Sequence, residues 1–504
     1  MNKINYLELI KAADVYSVAK VSSLDYAKLI STKLSNRIFL KREDLQTTFS
    51  FKIRGAVNKI KNLDKETLKK GVICSSAGNH AQGVALASKL NNNRAVIVMP
   101  QTTPSIKIEA VKALGAEVIL FGDNYDEAFS KAKEIEQSES LTFIHAFDDP
   151  HVIAGQGTIG IEIIEQLNET IDAIFIPIGG GGLISGIATY IKETRPNIKI
   201  IGVEPEDSAS MKMSLVANKQ ITLDHVGIFA DGVAVKRVGD IPFLLCKKYI
   251  DEIITVNTDE TCAAIQAIYE ETRSIVEPSG ALSLAGITKY VELNLSTDKT
   301  FVGINCGANV NFDRLRHIAE RAAVGKKSEI LLAVEIEEKP GSFKNFCKTI
   351  GKRNITEFNY RYRDNGSARI FVGIALENSS NAQQEVVDEI NDLGYSVVDL
   401  SQNEMAKTHI RHMVGGRASI ENERLFRFEF PERPGALMEF LDAIGTERNI
   451  TLFHYRNHGS DFGRILTGIQ ASKNETNQLE EHLSKLGYRY WEESNNPAYA
   501  MFLS

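Results

Sequence analysis

An internal repeat in the last third of the chain restricts its fold more than any other feature. The repeated segments are EILLAVEIEEKPGSFKNFCKTI (329–350) with RLFRFEFPERPGALMEFLDAI (424–444), EFNYRY (357–362) with LFHYRN (452–457), RIFVGIA (369–375) with RILTGIQ (464–470), and LGYSVVD (393–399) with LGYRYWE (486–492). The offset between copies stays within 93 to 95 residues, which a chance resemblance would not maintain.

Each copy has the same order of predicted elements: strand, helix, strand, strand, helix, strand. This order is the ferredoxin-like βαββαβ plan. We therefore predict two α+β domains, at 329–402 and 424–496, joined by a connection over 403–423 that contains Gly415 and Gly416. The repeat by itself is compatible with a structural or dimerising pair of domains as well as with an amino-acid sensor.

Residues 1–325 follow a different pattern, in which apolar strands alternate with helices. GVICSS leads through AGNH into AQGVALASKL, and DAIFIPI leads through GGGG into LISGIATYIKETR. Strands separated by helices of this length are typical of βαβ units and of a parallel sheet covered on both faces. The sequence thus predicts an α/β domain over 1–325 that precedes the repeats.

Charge and cysteine content exclude several classes of protein. A net charge of −7, with Lys and Arg scattered along the chain, argues against a general nucleic-acid binder. Five widely spaced cysteines without a CxxC motif favour a reducing compartment over a disulfide scaffold or zinc site. The N-terminus MNKINYLELIKAAD does not resemble a signal peptide, and no long apolar run predicts a membrane span, so we expect a cytoplasmic protein.

A glycine-rich loop, PIGGGGLISG at 177–186, lies between a predicted strand and a predicted helix. Backbone N–H groups at the positive end of a helix form a cradle for an anion such as phosphate. The loop lacks the Lys-Ser/Thr of a Walker motif, and in a dinucleotide fingerprint the last glycine would fall on Ile184 or Ser185. Because Glu204 could serve as the ribose-binding acid, a dinucleotide site stays a rival, as does simple close packing by glycine.

Two further loops follow predicted strands. SSAGNHAQG at 75–83 places exposed amides at the start of a helix, where a carboxylate could bind, although an ordinary turn has the same composition. NCGANVNF at 305–312 ends a strand with Cys306, Gly307 and Asn309, and by itself it also fits an ordinary turn with a buried cysteine.

Lys52 connects these loops. We predict a helix that opens at Ser50 and carries Lys52 in its first turn, where the helix dipole disfavours an ammonium group. A lysine in this place has a lowered pKa, which suits covalent and general-base catalysis, whereas the alternative is a solvated helix-end lysine. Lysine together with a phosphate cradle is what pyridoxal phosphate requires.

Six motifs in order, SFKIRGA, SSAGNHAQGVA, GGGGL, FADGVAVKRVGD, EPSGALSLAG and GANVNF, resemble those of the threonine ammonia-lyases. The resemblance covers nearly the whole chain. It implies a fold-type II pyridoxal-phosphate catalytic region, built from two parallel-sheet α/β subdomains, and paired ACT-like regulatory domains.

The resemblance also implies roles for individual residues. Lys52 is similar to the lysine that binds pyridoxal 5′-phosphate covalently, Phe51 to the residue packed on the cofactor ring, and Asn79 to the residue bonded to its phenolic oxygen. The residues implied to hold the phosphate are Gly179, Gly180, Gly181, Gly182 and Leu183, and those implied to bind the substrate carboxylate are Ser76, Ala77, Gly78, Asn79 and His80. Cys306 stands where the family usually has a serine against the pyridine nitrogen, and Glu277 is expected near the cofactor.

The implied reaction converts L-threonine, or less readily L-serine, to a 2-oxo acid and ammonia. With threonine the product is 2-oxobutanoate, the start of isoleucine synthesis, so isoleucine is expected to inhibit and valine to oppose it. Tyr360 and Tyr455, at equivalent repeat positions, are the candidate effector residues, and a homotetramer is implied. The alternatives are a catabolic serine/threonine dehydratase, a serine racemase, and an amino-acid sensor with an inactive catalytic domain.

Overall fold

The computed structural model describes residues 4–503 except 228, 313, 352, 363–365, 377–381, 414–417, 419, 432–435, 445–447, 457–461, 473–474, 486–487, 498 and 500–502. The chain divides into two compact units, residues 1–322 and 323–504. The predicted domain boundaries at 1–325, 329–402, 403–423 and 424–496 are finer than this division and stay predictions. Gly415 and Gly416 of the predicted connection lie outside the described residues.

The first unit alternates strands and helices. Its strands are β1 (Leu24–Tyr26), β2 (Arg37–Arg42), β3 (Val72–Ser75), β4 (Ala95–Met99), β5 (Glu117–Leu120), β6 (Thr142–Phe143), β7 (Ala173–Pro177), β8 (Lys199–Pro205), β9 (Glu252–Val256) and β10 (Thr300–Asn305). Its main helices are α1 (Tyr6–Lys11), α2 (Lys28–Leu34), α3 (Lys52–Lys61), α4 (Lys65–Lys70), α5 (Asn79–Leu90), α6 (Ser105–Ala113), α7 (Tyr125–Glu139), α8 (Pro150–Gln166), α9 (Gly182–Thr194), α10 (Ser210–Val216), α11 (Asp240–Tyr249), α12 (Thr258–Thr272) and α13 (Pro278–Asn294), and α14 (Arg314–Gly325) follows.

The strands of the first unit form two sheets. The larger has six strands in the order β1-β2-β10-β7-β8-β9, and the smaller has four in the order β5-β4-β3-β6. All neighbours are parallel except β1, which pairs antiparallel with β2. The carboxyl ends of β2, β7 and β10 therefore meet at one edge of the larger sheet, where ligands of α/β proteins bind.

Helices cover both faces of each sheet. In β7, Phe175 packs in the cluster that contains residues of α12 and α13, whereas Ile174 and Ile176 pack in the cluster that contains residues of α8 and α9. Successive side chains of a strand point to opposite faces, so a strand covered on both faces needs apolar residues at every position. The continuous run AIFIP of β7 meets this requirement, and the predicted covered parallel sheet is confirmed.

The second unit contains the two copies of the repeat. The first copy comprises β11 (Glu329–Glu337), α15 (Ser342–Ile350), β12 (Ile355–Arg361), β13 (Ser367–Ala375), α16 (Ala382–Asp392) and β14 (Ser396–Asp399), and a short helix α17 (Glu404–Thr408) follows. The second comprises β15 (Glu423–Pro431), α18 (Ala436–Ile444), β16 (Ile450–Arg456), β17 (Phe462–Gln470), α19 (Thr476–Lys485) and β18 (Arg489–Glu492). Both copies have the predicted βαββαβ order.

The two copies share one eight-stranded sheet, with strand order β14-β11-β13-β12-β16-β17-β15-β18. They join where β12 pairs antiparallel with β16, and the register pairs Tyr360 with Phe453 and Phe358 with Tyr455. Since each tyrosine of one copy faces a phenylalanine of the other, the junction has approximate two-fold symmetry. The predicted ferredoxin-like fold class is confirmed for both copies.

The equivalence of the copies extends past their last strands. The Ser401 hydroxyl accepts a hydrogen bond from the backbone N–H of Leu331 at 3.0 Å, and the Ser494 hydroxyl accepts one from that of Leu425 at 3.0 Å. In each copy, therefore, a serine just after the last strand accepts a hydrogen bond from the backbone of the first strand. Ser401 and Ser494 lie inside the two predicted domains, whereas Arg411 of the predicted connection pairs with Glu357 of β12 at 2.7 Å. We infer that part of the connection belongs structurally to the first copy.

Among the described residues, no helix is long and apolar enough to cross a membrane. The cysteines at 74, 246, 262, 306 and 347 are all buried and free of disulfides.

Candidate active site

The segment before Lys52 is held by the end of β10. Ser50 forms an isolated antiparallel β-bridge with Gly307, and the N–H of Phe51 donates to the carbonyl of Cys306 at 3.2 Å. These extended contacts exclude Ser50 from the helix, so the predicted helix start at Ser50 was wrong and α3 begins at Lys52. The same contacts place Lys52 beside Cys306.

The amine of Lys52 is partly buried and weakly bonded. Its Nζ donates to the carbonyl of Ala146 at 3.4 Å and lies 5.1 Å from the centroid of the Phe51 ring. Burial lowers the pKa of Lys52 from 10.5 to about 8, although the nearby Cys306 and Glu277 act in the opposite direction. A lysine with this pKa has a substantial neutral fraction near physiological pH, as nucleophilic and base catalysis require.

This pKa predicts how Lys52 reacts with an aldehyde such as pyridoxal phosphate. Only the neutral amine attacks, and at pH 7 about one Lys52 in ten is neutral, against about one in 3000 for an unperturbed lysine. We expect the second-order rate of pyridoxal-phosphate capture to rise with pH, reach half its maximum near pH 8 and then level off. Stopped-flow absorbance measures this rate, with Nα-acetyl-lysine amide as the solution control. A half-maximum near 10.5, as in the control, would contradict the perturbed pKa.

The glycine loop follows β7 and leads into α9. None of the backbone N–H groups from Gly179 to Leu183 has an acceptor among the described residues, and they precede or open the helix. A Cβ on Gly179 would lie 2.9 Å from Cα of Val233, and one on Gly182 would lie 2.9 Å from Cα of Phe147. The loop thus offers free donors at a helix N-terminus and requires glycine because two backbone segments pack against it.

The packing against Phe147 predicts the effect of adding one methyl group. In Gly182→Ala the new Cβ would press on the backbone of Phe147, so either Phe147 or the glycine loop would have to shift. We expect the affinity for pyridoxal phosphate to fall at least about tenfold, because overpacking costs about 1–3 kcal/mol; fluorescence titration of the ligand-free protein measures it. Gly160→Ala in α8 is the matched control, because its Cβ would approach no closer than 3.3 Å to Tyr190. Equal affinities for both variants would contradict the tight fit of the loop.

Residues 76–80 lead from the end of β3 into the first turn of α5. The N–H of Gly78 donates to the Ser76 hydroxyl at 3.2 Å, whereas those of Ala77, Asn79 and His80 have no acceptor among the described residues. These free donors at the start of α5 suit a carboxylate.

The His80 side chain turns away from this loop. Its Nε2 lies 2.8 Å from the carbonyl of Ile144 and therefore donates to it. Burial, with a smaller contribution from nearby Lys52, lowers the pKa of His80 to about 3, so the imidazole is neutral. Any contribution of His80 to binding a carboxylate would come from its backbone N–H.

Glu277 lies at the centre of a hydrogen-bond network. Its carboxylate accepts from Asn79 Nδ2 at 2.8 Å, from the Ser279 hydroxyl at 2.6 Å and from the backbone N–H of Asn309 at 3.1 Å. Burial raises the pKa of Glu277 above its ordinary value. The thiol of Cys306 donates to the Ser279 carbonyl at 3.3 Å, so the network reaches from Asn79 to Cys306.

Three parts of the site were missed by sequence reasoning. Ala146 and Phe147 link Lys52 to the glycine loop, and nothing in the surrounding letters HAFDD distinguishes them from an ordinary turn. Val233 belongs to the motif FADGVAVKRVGD, which was recognised without a position in the site. Asn309 was noted as a strand-end residue, but its contact with Asn79 joins residues 230 positions apart.

The second unit contains the predicted effector residue Tyr360. It is 4% exposed, donates its hydroxyl to Glu338 at 3.1 Å and lines a pocket between the two copies. The residues lining this pocket are Ile336, Glu337, Lys339, Gly341, Ser342, Phe343, Lys344, Tyr360, Leu441, Arg448, Asn449 and Ile450. Tyr455 is equally buried, and residues 432–435, which correspond to part of this lining in the other copy, lie outside the described residues.

The fold and the site together define a pyridoxal-phosphate-dependent enzyme. The defining features are the parallel α/β sheets, a lysine of lowered pKa, and a loop of free N–H donors at the carboxyl ends of the strands. The donor set fits this cofactor, because unpaired amides suit a phosphate and the Lys52 amine suits an aldehyde. Residues 21–307 match the family model described as pyridoxal-phosphate dependent enzyme. Residues 320–410 and 414–503 match that of the C-terminal regulatory domain of threonine dehydratase.

Known proteins specify the family further. The chain is 50% identical to the biosynthetic L-threonine dehydratase of Burkholderia multivorans over 99% of both chains. It is 45% identical to the mitochondrial threonine dehydratase of Saccharomyces cerevisiae over 100% of this chain and 90% of that one. The solved structure of processed threonine deaminase isoform 2 from Solanum lycopersicum aligns with a TM-score of 0.62 at 50% identity, covering 63% of this chain and 88% of that chain. The chain belongs to the biosynthetic threonine dehydratase family.

Proposed function

We propose that this protein dehydrates and deaminates L-threonine to 2-oxobutanoate and ammonia. The observation that carries the proposal is the position of Lys52, whose amine of lowered pKa shares the site with free donors for a phosphate and free donors for a carboxylate. The full-length similarity to threonine dehydratases supports threonine as the substrate.

Pyridoxal phosphate supplies an electron sink for the Cα carbanion of the bound amino acid. Lys52 would hold the cofactor at rest, and its amine of lowered pKa would take the Cα proton of the bound amino acid as general base. The β-hydroxyl would leave as water, since the proton taken from Cα balances the hydroxide that is lost, and the organic product would be 2-aminocrotonate. This enamine tautomerises and hydrolyses to 2-oxobutanoate and ammonia.

Cys306 supports elimination rather than transamination. Burial, reinforced by nearby Glu277, raises the pKa of its thiol, so Cys306 would offer the ring nitrogen an uncharged group. A carboxylate in that place would keep the nitrogen protonated and spread the carbanion into the ring. A neutral partner limits this delocalisation and favours expulsion of the β-hydroxyl.

The rival functions are less well supported. The solved serine racemase of maize is 33% identical and covers 62% of this chain, whereas whole-chain similarity is to threonine dehydratases. A dinucleotide site would need Glu204 for a ribose, but its two oxygens accept the backbone N–H groups of Met211 and Lys212 at 2.8 and 2.9 Å. An inactive sensor would not need the Lys52 amine and the free donors together.

The second unit is proposed to bind isoleucine as inhibitor and valine as its antagonist, at the pocket beside Tyr360. Arg448 lines this pocket at 9% exposure, and its Nε has no hydrogen-bond partner among the described residues. A buried guanidinium with a free donor suits an amino-acid carboxylate, and Ile336 and Ile450 offer apolar contacts for an aliphatic side chain. An effector acts only by binding two states of the enzyme differently, so active and inhibited forms must both exist.

The initial rate of 2-oxobutanoate formation, with isoleucine titrated in, tests the reaction and the sensing unit together. We expect sigmoidal inhibition that valine opposes. No turnover by the cofactor-loaded protein would overturn the proposed reaction, whereas turnover indifferent to isoleucine would overturn the proposed regulation alone. Sedimentation velocity tests the homotetramer that the family resemblance implies.

Removing the Arg448 charge is expected to weaken isoleucine binding. A hydrogen bond to a charged group contributes about 1.5–3 kcal/mol, so Arg448→Gln should raise the half-inhibitory isoleucine concentration at least about tenfold. The rate without isoleucine should stay unchanged. Arg369→Ala is the matched control, since that side chain is 77% exposed with one distant carboxylate. Unchanged inhibition of Arg448→Gln would place the effector elsewhere.

A further inference from the structure

The amide of Asn79 is held on both sides by groups that the known motifs do not assign to it. Its Nδ2 donates to Glu277 at 2.8 Å, and its Oδ1 accepts from Nδ2 of Asn309 at 2.6 Å. Asn309 in turn donates its side-chain amide to the carbonyl of Thr48 at 2.9 Å and its backbone N–H to Glu277 at 3.1 Å. Asn79, Glu277 and Asn309 thus form a closed ring of hydrogen bonds.

The partners determine which way each amide points. The Thr48 carbonyl can only accept, so the atom of Asn309 that faces it must be the NH₂ group, and that group also faces Asn79. Glu277 receives two other donors, the Ser279 hydroxyl and the Asn309 backbone N–H, and so acts as an acceptor toward Asn79 as well. Asn79 must therefore turn its oxygen to Asn309 and its nitrogen to Glu277.

Turning the Asn79 amide over would lose both of its hydrogen bonds. Its oxygen would then face the Glu277 carboxylate, and its NH₂ group would face that of Asn309. Other bonds hold both neighbours in place: the Ser279 hydroxyl and the Asn309 backbone N–H donate to Glu277, and the Asn309 side chain donates to the Thr48 carbonyl. The ring therefore leaves Asn79 with one orientation and with a second N–H that the ring does not use.

We propose that Asn309 is a positioning residue that, together with Glu277, aims the unused N–H of Asn79 at the phenolic oxygen of the cofactor. The inference rests on the proposed function and on the role that the family resemblance implies for Asn79. A donor at this oxygen stabilises its anionic form, which affects both cofactor affinity and the absorbance spectrum of the bound cofactor. A carbonyl oxygen at the same place would repel it.

A purely structural role for Asn309 predicts something different. Asn309 also bonds the loop after β10 to Thr48. If only this bond mattered, its loss would weaken cofactor binding to the same extent with asparagine or alanine at position 79. The two explanations differ in whether the effect of Asn309 depends on Asn79. A double-mutant cycle separates them.

The experiment compares the wild type with Asn79→Ala, Asn309→Ala and the double variant, all as full chains reconstituted with pyridoxal phosphate. Cofactor dissociation constants and absorbance spectra between pH 6 and 9 are the readouts. We expect each single variant to weaken cofactor binding about five- to tenfold and to shift the spectrum in the same direction. The double variant should then be no weaker than Asn79→Ala alone.

Asn309→Asp keeps the shape of the side chain but removes both donors, and it should reproduce the spectral shift if Asn309→Ala folds poorly. Asn36→Ala is the control for a lost attachment, since Asn36 bonds the backbone of Leu34, Ser296 and Lys299. Its spectrum should match the wild type.

Additive losses in the double variant, or an unshifted spectrum in both Asn309 variants, would overturn the positioning role. A wild-type protein that forms no lysine-bound cofactor would overturn the proposed function itself. The two failures are therefore distinguishable.

Discussion

Replacing Lys52 by alanine is expected to abolish threonine turnover, with a loss of at least about 10³-fold, because general-base catalysis alone contributes about 10²–10⁴-fold. The variant loses the covalent anchor of the cofactor together with the base for the Cα proton. The remaining free donors should still bind pyridoxal phosphate non-covalently. The absorbance band of lysine-bound cofactor should therefore be absent while binding stays measurable.

Lys61→Ala is the matched control for this variant. Lys61 ends the same helix α3, and its side chain pairs with the exposed carboxylate of Asp14 at 2.6 Å. A surface pair of this kind contributes about 0–1 kcal/mol, so the control should keep its rate and spectrum. A small primary amine added to Lys52→Ala should restore part of the rate by supplying a base. Substantial turnover without added amine would remove Lys52 from the proposed role.

Arg54→Gln is expected to destabilise the catalytic unit by about 3–5 kcal/mol, the usual effect of removing one partner from a buried charge network. Arg54 is fully buried on α3, two positions after Lys52, and bonds Glu43 at 2.8 Å and Glu162 at 2.5 Å. Lys41 pairs with Glu162 at 2.6 Å, so two cations balance two carboxylates. Without Arg54 the two buried carboxylates would face one cation.

Differential scanning calorimetry of the cofactor-loaded protein measures this effect as a lower midpoint for the transition of the catalytic unit. Arg94→Gln is the control, because Arg94 also pairs with two carboxylates, Glu117 and Glu139, but is 43% exposed. Its midpoint should change little, since exposed pairs contribute little. Equal shifts of the midpoint in the two variants would show that burial does not determine how much the Arg54 network contributes to stability.

The parts of the fold that were predicted correctly are those that leave a local pattern. The constant repeat offset predicted two βαββαβ copies, because the same order of strand and helix patterns occurs in both segments. The run AIFIP predicted a strand covered on both faces because all of its residues are apolar, and every one of them is buried in the structure. The start of α3 was predicted two residues early, since the bridge between Ser50 and Gly307 has no signal in the sequence around Ser50.

The candidate site was predicted in part for the same reason. The glycine loop and the amides before α5 are backbone donors at helix starts, and glycine and turn residues mark such places locally. The His80 side chain and the orientation of Asn79 depend on Ile144 and Asn309. Those contacts form only after strands that are distant in the chain lie side by side.

The sequence alone determined that the chain contains a parallel α/β region with a lysine at the start of a helix and a phosphate-type loop, followed by two ferredoxin-like copies. These features depend on periodicity, helix ends and glycine, which act over a few residues. The tertiary structure alone decided the pairing of β12 with β16 and the neighbours of Lys52, whose bond to Ala146 spans 94 positions. It also decided the burial of Arg54 against Glu162, 108 positions away, because pairing at such distances depends on how the sheets assemble.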